Sequence, residues 1–283
     1  MLKSSRKKLI AIGCSYTSWY QAQAANRYQD VQPDIKQFEE QVEQAHLHNR
    51  LDDFPVWPTL LSEKLDMECV NLGRAGAGNE YISAKLIDTV LTEKREDIGL
   101  VVLMWSGWQR IDFERINNNW YNLRPQSDNG KNIKNPVAFL NIKNHETRII
   151  LNNIMWKYNS SHNATMKSLR HFLIAQKLLE DIPYLMIQGV DTIQHQKFPE
   201  RKAKNIWIQT FLNSKIFDEI DEKKFIGWPI MQELGGYNVN DILNKLDPEQ
   251  KELRVSYENN HPNAEGHKIM SQEIYDAYEK IYI

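Results

Sequence analysis

Cysteine is nearly missing from this chain: Cys14 and Cys69 are the only two in 283 residues. Two thiols cannot build the disulfide framework of a small secreted domain, so both are expected as buried small residues in a reducing, intracellular compartment. Long hydrophobic runs are missing too. No stretch approaches the ~18 apolar residues of a membrane span. The N-terminus carries Lys3, Arg6, Lys7 and Lys8, but the apolar run behind them, Leu9 to Ile12, is too short for a signal-peptide core. A cytoplasmic protein with no membrane partner is therefore expected. An excess of either charge is also absent, with 35 basic against 37 acidic residues and a net charge of −2. That balance argues against a general nucleic-acid binder. His46 and His48 lie near Asp52 and Asp53, but no Cys/His spacing supports a metal site, and no cofactor is expected. There is no internal repeat.

What the chain does have is an alternation of apolar runs and amphipathic stretches. Lys8 to Ile12 reads as a first strand, Glu68 to Leu72 as a second and Gly99 to Trp105 as a third. Pro183 to Gly189 reads as a fourth, and Phe225 to Trp228 as a short fifth. The third is a continuous apolar run, the mark of a strand buried on both faces. Helices are expected over about 59–65, 80–92 and 165–179, and over the C-terminal stretch to about Tyr282. Strand alternating with helix argues for a parallel sheet covered on both faces. One α/β domain over 1–283 is expected, a three-layer α/β/α sandwich with a sheet of about five strands. Two segments do not fit the alternation. About 19–53 is polar, with a helical pattern over 37–45, and is too long for a β–α connection. About 112–160 is rich in Asn, Trp and Tyr and reads as a second helical or irregular insertion.

The chemistry is expected at the strand ends, because ligands of open α/β sheets bind at the carboxyl edge. The first strand stops on Gly13-Cys14-Ser15, a sharp turn that presents a hydroxyl. A serine there is also an ordinary helix N-cap, and a serine alone is a poor nucleophile. A base is available in His261, just before the last helix, with Glu258 three residues upstream to orient it. The backbone N–H groups of Ser15 and Gly76, with the Asn79 side chain, are candidate oxyanion donors. Trp105, Ser106, Trp108 and Arg110 follow the third strand and are candidate substrate contacts, the tryptophans as stacking platforms or as packing. The glycines at 73, 76 and 78 stand in the wrong order for a dinucleotide fingerprint.

Taken together these blocks resemble the SGNH hydrolases of the GDSL esterase superfamily. The family's Gly-Asp-Ser is matched by Gly13-Cys14-Ser15, its Asn-x-x-x-x-Gly by Asn71 to Gly76, and its Asp-x-x-His-Pro by Glu258 to Pro262. The family's third block, Gly-x-Asn-Asp, is missing; Trp105-Ser106-Gly107-Trp108-Gln109-Arg110 stands in its place. The Gly-Cys-Ser start resembles a divergent branch found in phage and bacterial genomes. The resemblance implies a flavodoxin-like fold, Ser15 as nucleophile, His261 as base and Gly76 as oxyanion donor. It implies a cofactor-free esterase acting on a small ester or acylated glycan, virion-associated if phage-encoded. Gln109, Asn79 or Ser106 would have to supply the lost oxyanion amide. The competing expectation is a catalytically degenerate binding module on the same fold.

Overall fold

Strand β1 (Lys8–Gly13) is the spine of the sheet: every residue from Leu9 to Gly13 is buried, as a strand with neighbours on both edges and helices on both faces must be. In the computed structural model it pairs in parallel with β2 (Glu68–Asn71) on one side and β3 (Ile98–Trp105) on the other. The structure describes residues 6–18, 54–115, 119–123, 150, 159–192, 200–255 and 260–283. The expected insertion at about 19–53 with its helix over 37–45, most of the expected insertion at about 112–160, and Glu258 lie outside these residues.

Beyond β3 come β6 (Tyr184–Gln188) and the two-residue β7 (Phe225–Ile226), giving the order β2-β1-β3-β6-β7, all parallel. This is the flavodoxin-like doubly wound order, in which the chain reverses direction across the sheet between β1 and β3. Right-handed crossovers then send the connecting helices to opposite faces. On one face α1 (Trp57–Lys64) packs against α6 (Ala264–Tyr282). On the other, α3 (Ser161–Leu178) packs against both α2 (Asn79–Thr92) and α4 (Glu200–Leu212). The result is the three-layer α/β/α sandwich that the alternation predicts. A further short helix, α5 (Val239–Leu246), is closed at its start by a capping box between Asn238 and Asp241.

The second insertion departs from expectation where it is described. Instead of helical or irregular chain, β4 (Ile111–Arg115) and β5 (Asn119–Leu123) form an antiparallel ribbon apart from the main sheet. The core lies between sheet and helices. Trp57, Trp105, Trp108 and Trp207 are all fully buried in it, and Trp108 packs against Phe172, Trp207 and Phe211.

Candidate active site

The turn after β1 isolates one side chain. From Leu9 to Ser18 every residue is buried except Ser15, which is half-buried. The Cys14 carbonyl accepts from the backbone N–H groups of Thr17 (2.9 Å) and Ser18 (3.1 Å), and this single tight turn lifts Ser15 to the carboxyl edge. The position is the strand-order reversal between β1 and β3.

The loop after β2 is stitched to that turn. Asn71 donates its side-chain amide to the Thr17 carbonyl (2.7 Å) and accepts from the Gly73 N–H (2.9 Å). Gly73 must be glycine, since a Cβ would stand 2.5 Å from the Ser18 nitrogen. Three residues on, Gly76 takes φ 80°, a left-handed conformation that glycine adopts at least cost. The Asn-x-x-x-x-Gly block thus holds two backbone segments together beside Ser15. The loop is gripped from outside by the ribbon. Asp112 accepts from the Gly78 N–H through both carboxylate oxygens (3.0 Å each) and from the Tyr81 N–H (2.9 Å), capping α2 from another element. Arg74 donates to the Trp120 carbonyl (3.0 Å).

His261 arrives from the other end of the chain. Its Nε2 lies 2.9 Å from Ser15 Oγ, a hydrogen bond spanning 246 residues. The imidazole meets the Tyr16 ring edge-on, with centroids 5.5 Å apart. The segment carrying it is fixed as a short antiparallel pairing: Arg254 bridges Pro262, and the Val255 N–H donates to the His261 carbonyl (2.9 Å). Six residues on, His267 is buried within α6 and accepts the Trp57 N–H at Nδ1 (3.2 Å). Burial, and then the neighbouring His261, hold its pKa down to about 3.

The structure therefore brings Ser15 and His261 into hydrogen-bond contact and sets the Gly76 loop beside the Ser15 turn. Glu258 lies outside the described residues, and the expectations for Asn79 and for the segment after β3 need correction. Asn79 is 1% exposed, with its amide on Ser168 Oγ (3.1 Å) and its carbonyl on the Ser106 N–H (2.8 Å). It braces α2, β3 and α3 together rather than facing the nucleophile. Trp105, Ser106, Trp108 and Arg110 are at most 5% exposed, so they form the packed floor behind the edge and not a substrate surface. The cause is steric: the chain turns under the α2 N-terminus after β3, where Arg110 donates to the Ala77 carbonyl (2.8 Å). Sequence reasoning missed Tyr16, Asp112, Asn240 and Arg254. Only Tyr16, next to Ser15, carried a signal that could have found it.

No protein-family model and no curated protein sequence matches the chain. Among solved structures it is similar to a member of the lipolytic protein G-D-S-L family from Veillonella parvula, at 12% identity over 97% of this chain and 100% of that one, TM-score 0.44. It is also similar to a catalytic mutant of the acetylxylan esterase Axe2 from Geobacillus stearothermophilus, at 12% identity over 98% and 96%, TM-score 0.45. A third is a lipase from a goat rumen metagenome, at 12% identity over 96% and 97%, TM-score 0.42.

Proposed function

We propose that this chain is a serine ester hydrolase of the SGNH type that removes acetyl or another small acyl group from a carbohydrate or related ester. The observation that carries this reading is the 2.9 Å contact between Ser15 Oγ and His261 Nε2 at the carboxyl edge of the sheet. A serine becomes a useful nucleophile only beside a base, and that distance is within direct proton-transfer reach.

In the proposed cycle Ser15 Oγ attacks the ester carbonyl carbon and its proton passes to His261 Nε2. For Nε2 to accept, Nδ1 must carry the imidazole's own proton, and Glu258 is the proposed partner for it. The negative charge on the former carbonyl oxygen is received by the Ser15 and Gly76 backbone N–H groups. Collapse of the tetrahedral intermediate breaks the C–O bond to the alcohol, which leaves with the proton from His261. The acyl group stays on Ser15. Water then adds to it, losing a proton to His261, and the second collapse releases the acid and returns that proton to Ser15.

The test is turnover of p-nitrophenyl acetate, with a fluorophosphonate label mapped by mass spectrometry. Ser15→Ala is expected to lose at least about 10³-fold in kcat, and the label to sit on Ser15. Equal rates in the two proteins and an unlabelled Ser15 would sink the hydrolase reading. That outcome would favour a second one, a binding module on the same fold. The buried 105–110 segment, with no asparagine in the place the family uses for an oxyanion donor, is the observation on its side.

A further inference from the structure

Arg254 is 4% exposed, yet it belongs to neither the sheet core nor the proposed chemistry. Its guanidinium donates through Nη1 to the Asn260 carbonyl (2.8 Å), to Asn240 Oδ1 (3.2 Å) and to the Tyr16 hydroxyl oxygen (3.2 Å). Through Nη2 it donates to Asn244 Oδ1 (3.0 Å). None of these four acceptors carries a charge. The opposing charge comes from the Asp247 carboxylate, which interacts with Arg254 through space and without a direct hydrogen bond, and a buried arginine so placed adds little to stability compared with an apolar side chain of the same size. Its use lies in geometry, because the planar fork fixes several partners at once in a way a lysine cannot.

The partners are informative. Tyr16 follows Ser15 in the chain, and Asn260 precedes His261. One guanidinium therefore bonds the immediate neighbours of both members of the Ser15–His261 pair. The tie is doubled by the Tyr16 hydroxyl, which lies 2.8 Å from Asn240 Oδ1 and 3.0 Å from the Asn260 carbonyl. Burial raises the Tyr16 phenol to about 12, so it stays protonated and able to donate at any physiological pH. Asn240 and Asn244 stand four residues apart on α5 and so share one face of that helix. The backbone of Arg254 itself is bridged to Pro262. Asp247 closes the approach, accepting from the backbone N–H groups of Lys251 (3.1 Å), Glu252 (2.8 Å) and Leu253 (2.9 Å).

We propose that Arg254 is the positioning residue of the site: anchored on α5 by Asn240 and Asn244, it sets the Ser15–His261 hydrogen bond from behind. The proposal rests on the hydrolase reading for its kinetic consequence, but its geometric content stands apart from it. A misplacement of about 1 Å between reacting groups can cost about 100-fold in rate.

The experiment compares wild type, Arg254→Lys, Arg254→Met and Asn244→Ala in fluorophosphonate labelling and p-nitrophenyl acetate turnover, below each variant's melting temperature. The final amplitude of labelling counts folded sites, whereas its rate reports how well Ser15 is activated. Arg254→Met is expected to keep most of the amplitude but label about 10- to 100-fold more slowly, with kcat reduced in step and KM within about twofold. Arg254→Lys should fall between it and wild type, and Asn244→Ala should slow labelling about threefold or more. A purely structural arginine would lose amplitude and leave the rate of the surviving sites unchanged, and that result overturns the proposal. Should Arg254→Met fail to fold, Arg254→Lys and Asn244→Ala decide the question alone. If wild-type Ser15 takes no label, the hydrolase reading fails and crystal structures of wild type and Asn244→Ala settle the positioning claim. A His261 imidazole displaced from Ser15 in the variant supports it; an unchanged Oγ–Nε2 distance overturns it.

Discussion

At the scale of single residues, the site is a contest between two uses of a serine at a strand-to-helix turn. As an N-cap it would turn its hydroxyl to the backbone amides ahead of it; here the hydroxyl meets His261 Nε2 at 2.9 Å instead. Replacing His261 by Gln keeps a hydrogen-bonding group of similar reach but no base. His261→Gln is expected to lower kcat on p-nitrophenyl acetate by about 10²–10⁴-fold while the protein still melts cooperatively. An undiminished kcat would assign the base elsewhere. Tyr16 contributes a hydroxyl to the Asn240 and Asn260 cluster and a ring edge to His261. Tyr16→Phe keeps the ring and removes only the hydroxyl, which takes a bond from the Arg254 cation and gives one to a neutral oxygen, so its activity should fall by about tenfold, the equivalent of about 1–2 kcal/mol. A loss as large as that of His261→Gln would mean the phenol itself takes part in the chemistry.

At the scale of elements, the β4–β5 ribbon is the structural surprise with a consequence for the site. Its Asp112 is buried, accepts from Gly78 and Tyr81, and takes a further bond from Asn122 Nδ2 (2.5 Å). Burial pushes its carboxyl pKa up, against the opposing pull of these donors and of Arg110. Asp112→Asn would set an amide NH₂ against backbone N–H donors. It is expected to lower stability by about 1–3 kcal/mol in urea unfolding, with the glycine loop beside Ser15 loosened and acylation slowed. A variant as stable as wild type would show that the ribbon does not hold the α2 N-terminus. None of this was legible in the sequence, for physical reasons. Ile111-Asp112-Phe113-Glu114-Arg115 alternates over only five residues, and its partner strand is rich in asparagine, which strands disfavour. Asp112 reads as a solvated carboxylate until the fold buries it. By contrast, β1, β3 and β6 were legible, because a parallel strand covered on both faces must be largely apolar. So was the Ser15–His261 pair, because Ser15 ends the first strand and His261 stands just before the last helix in a Glu-x-x-His-Pro block. Arg254 was not: it stands in no motif block, and a lone arginine reads as a solvated cation until the fold buries it against Tyr16.

At the scale of the whole molecule, buried titrating groups set how the fold responds to acid, and they pull in opposite directions. Burial lowers His267 to about 3 and His171 to about 4. Their stabilising contribution is complete above the unfolded value of 6.5 and is lost as pH falls toward those folded values. Glu80 is raised by burial to about 7, even with the Lys167 ammonium 2.6 Å away, and Asp112 is raised as well. A carboxylate raised in this way takes up its proton earlier in the folded state, so the Glu80 contribution is present below about 4.5 and is lost as pH rises through about 7, and that of Asp112 has the same sign. Between pH 7 and pH 5 the two sets therefore oppose each other. Removing one histidine exposes the balance. In His267→Asn the side-chain oxygen can still accept the Trp57 N–H that Nδ1 now receives, but nothing titrates. The stability of wild type relative to this variant should therefore fall by about 2 kcal/mol from pH 7 to pH 5, close to 1.4 kcal/mol per unit once below 6.5. Urea unfolding of both proteins at several pH values measures the difference directly. A difference that stays constant over this range would mean that His267 is protonated in the folded state, and that the imidazole pressed between α1 and α6 is a cation rather than the neutral acceptor its contact with Trp57 requires.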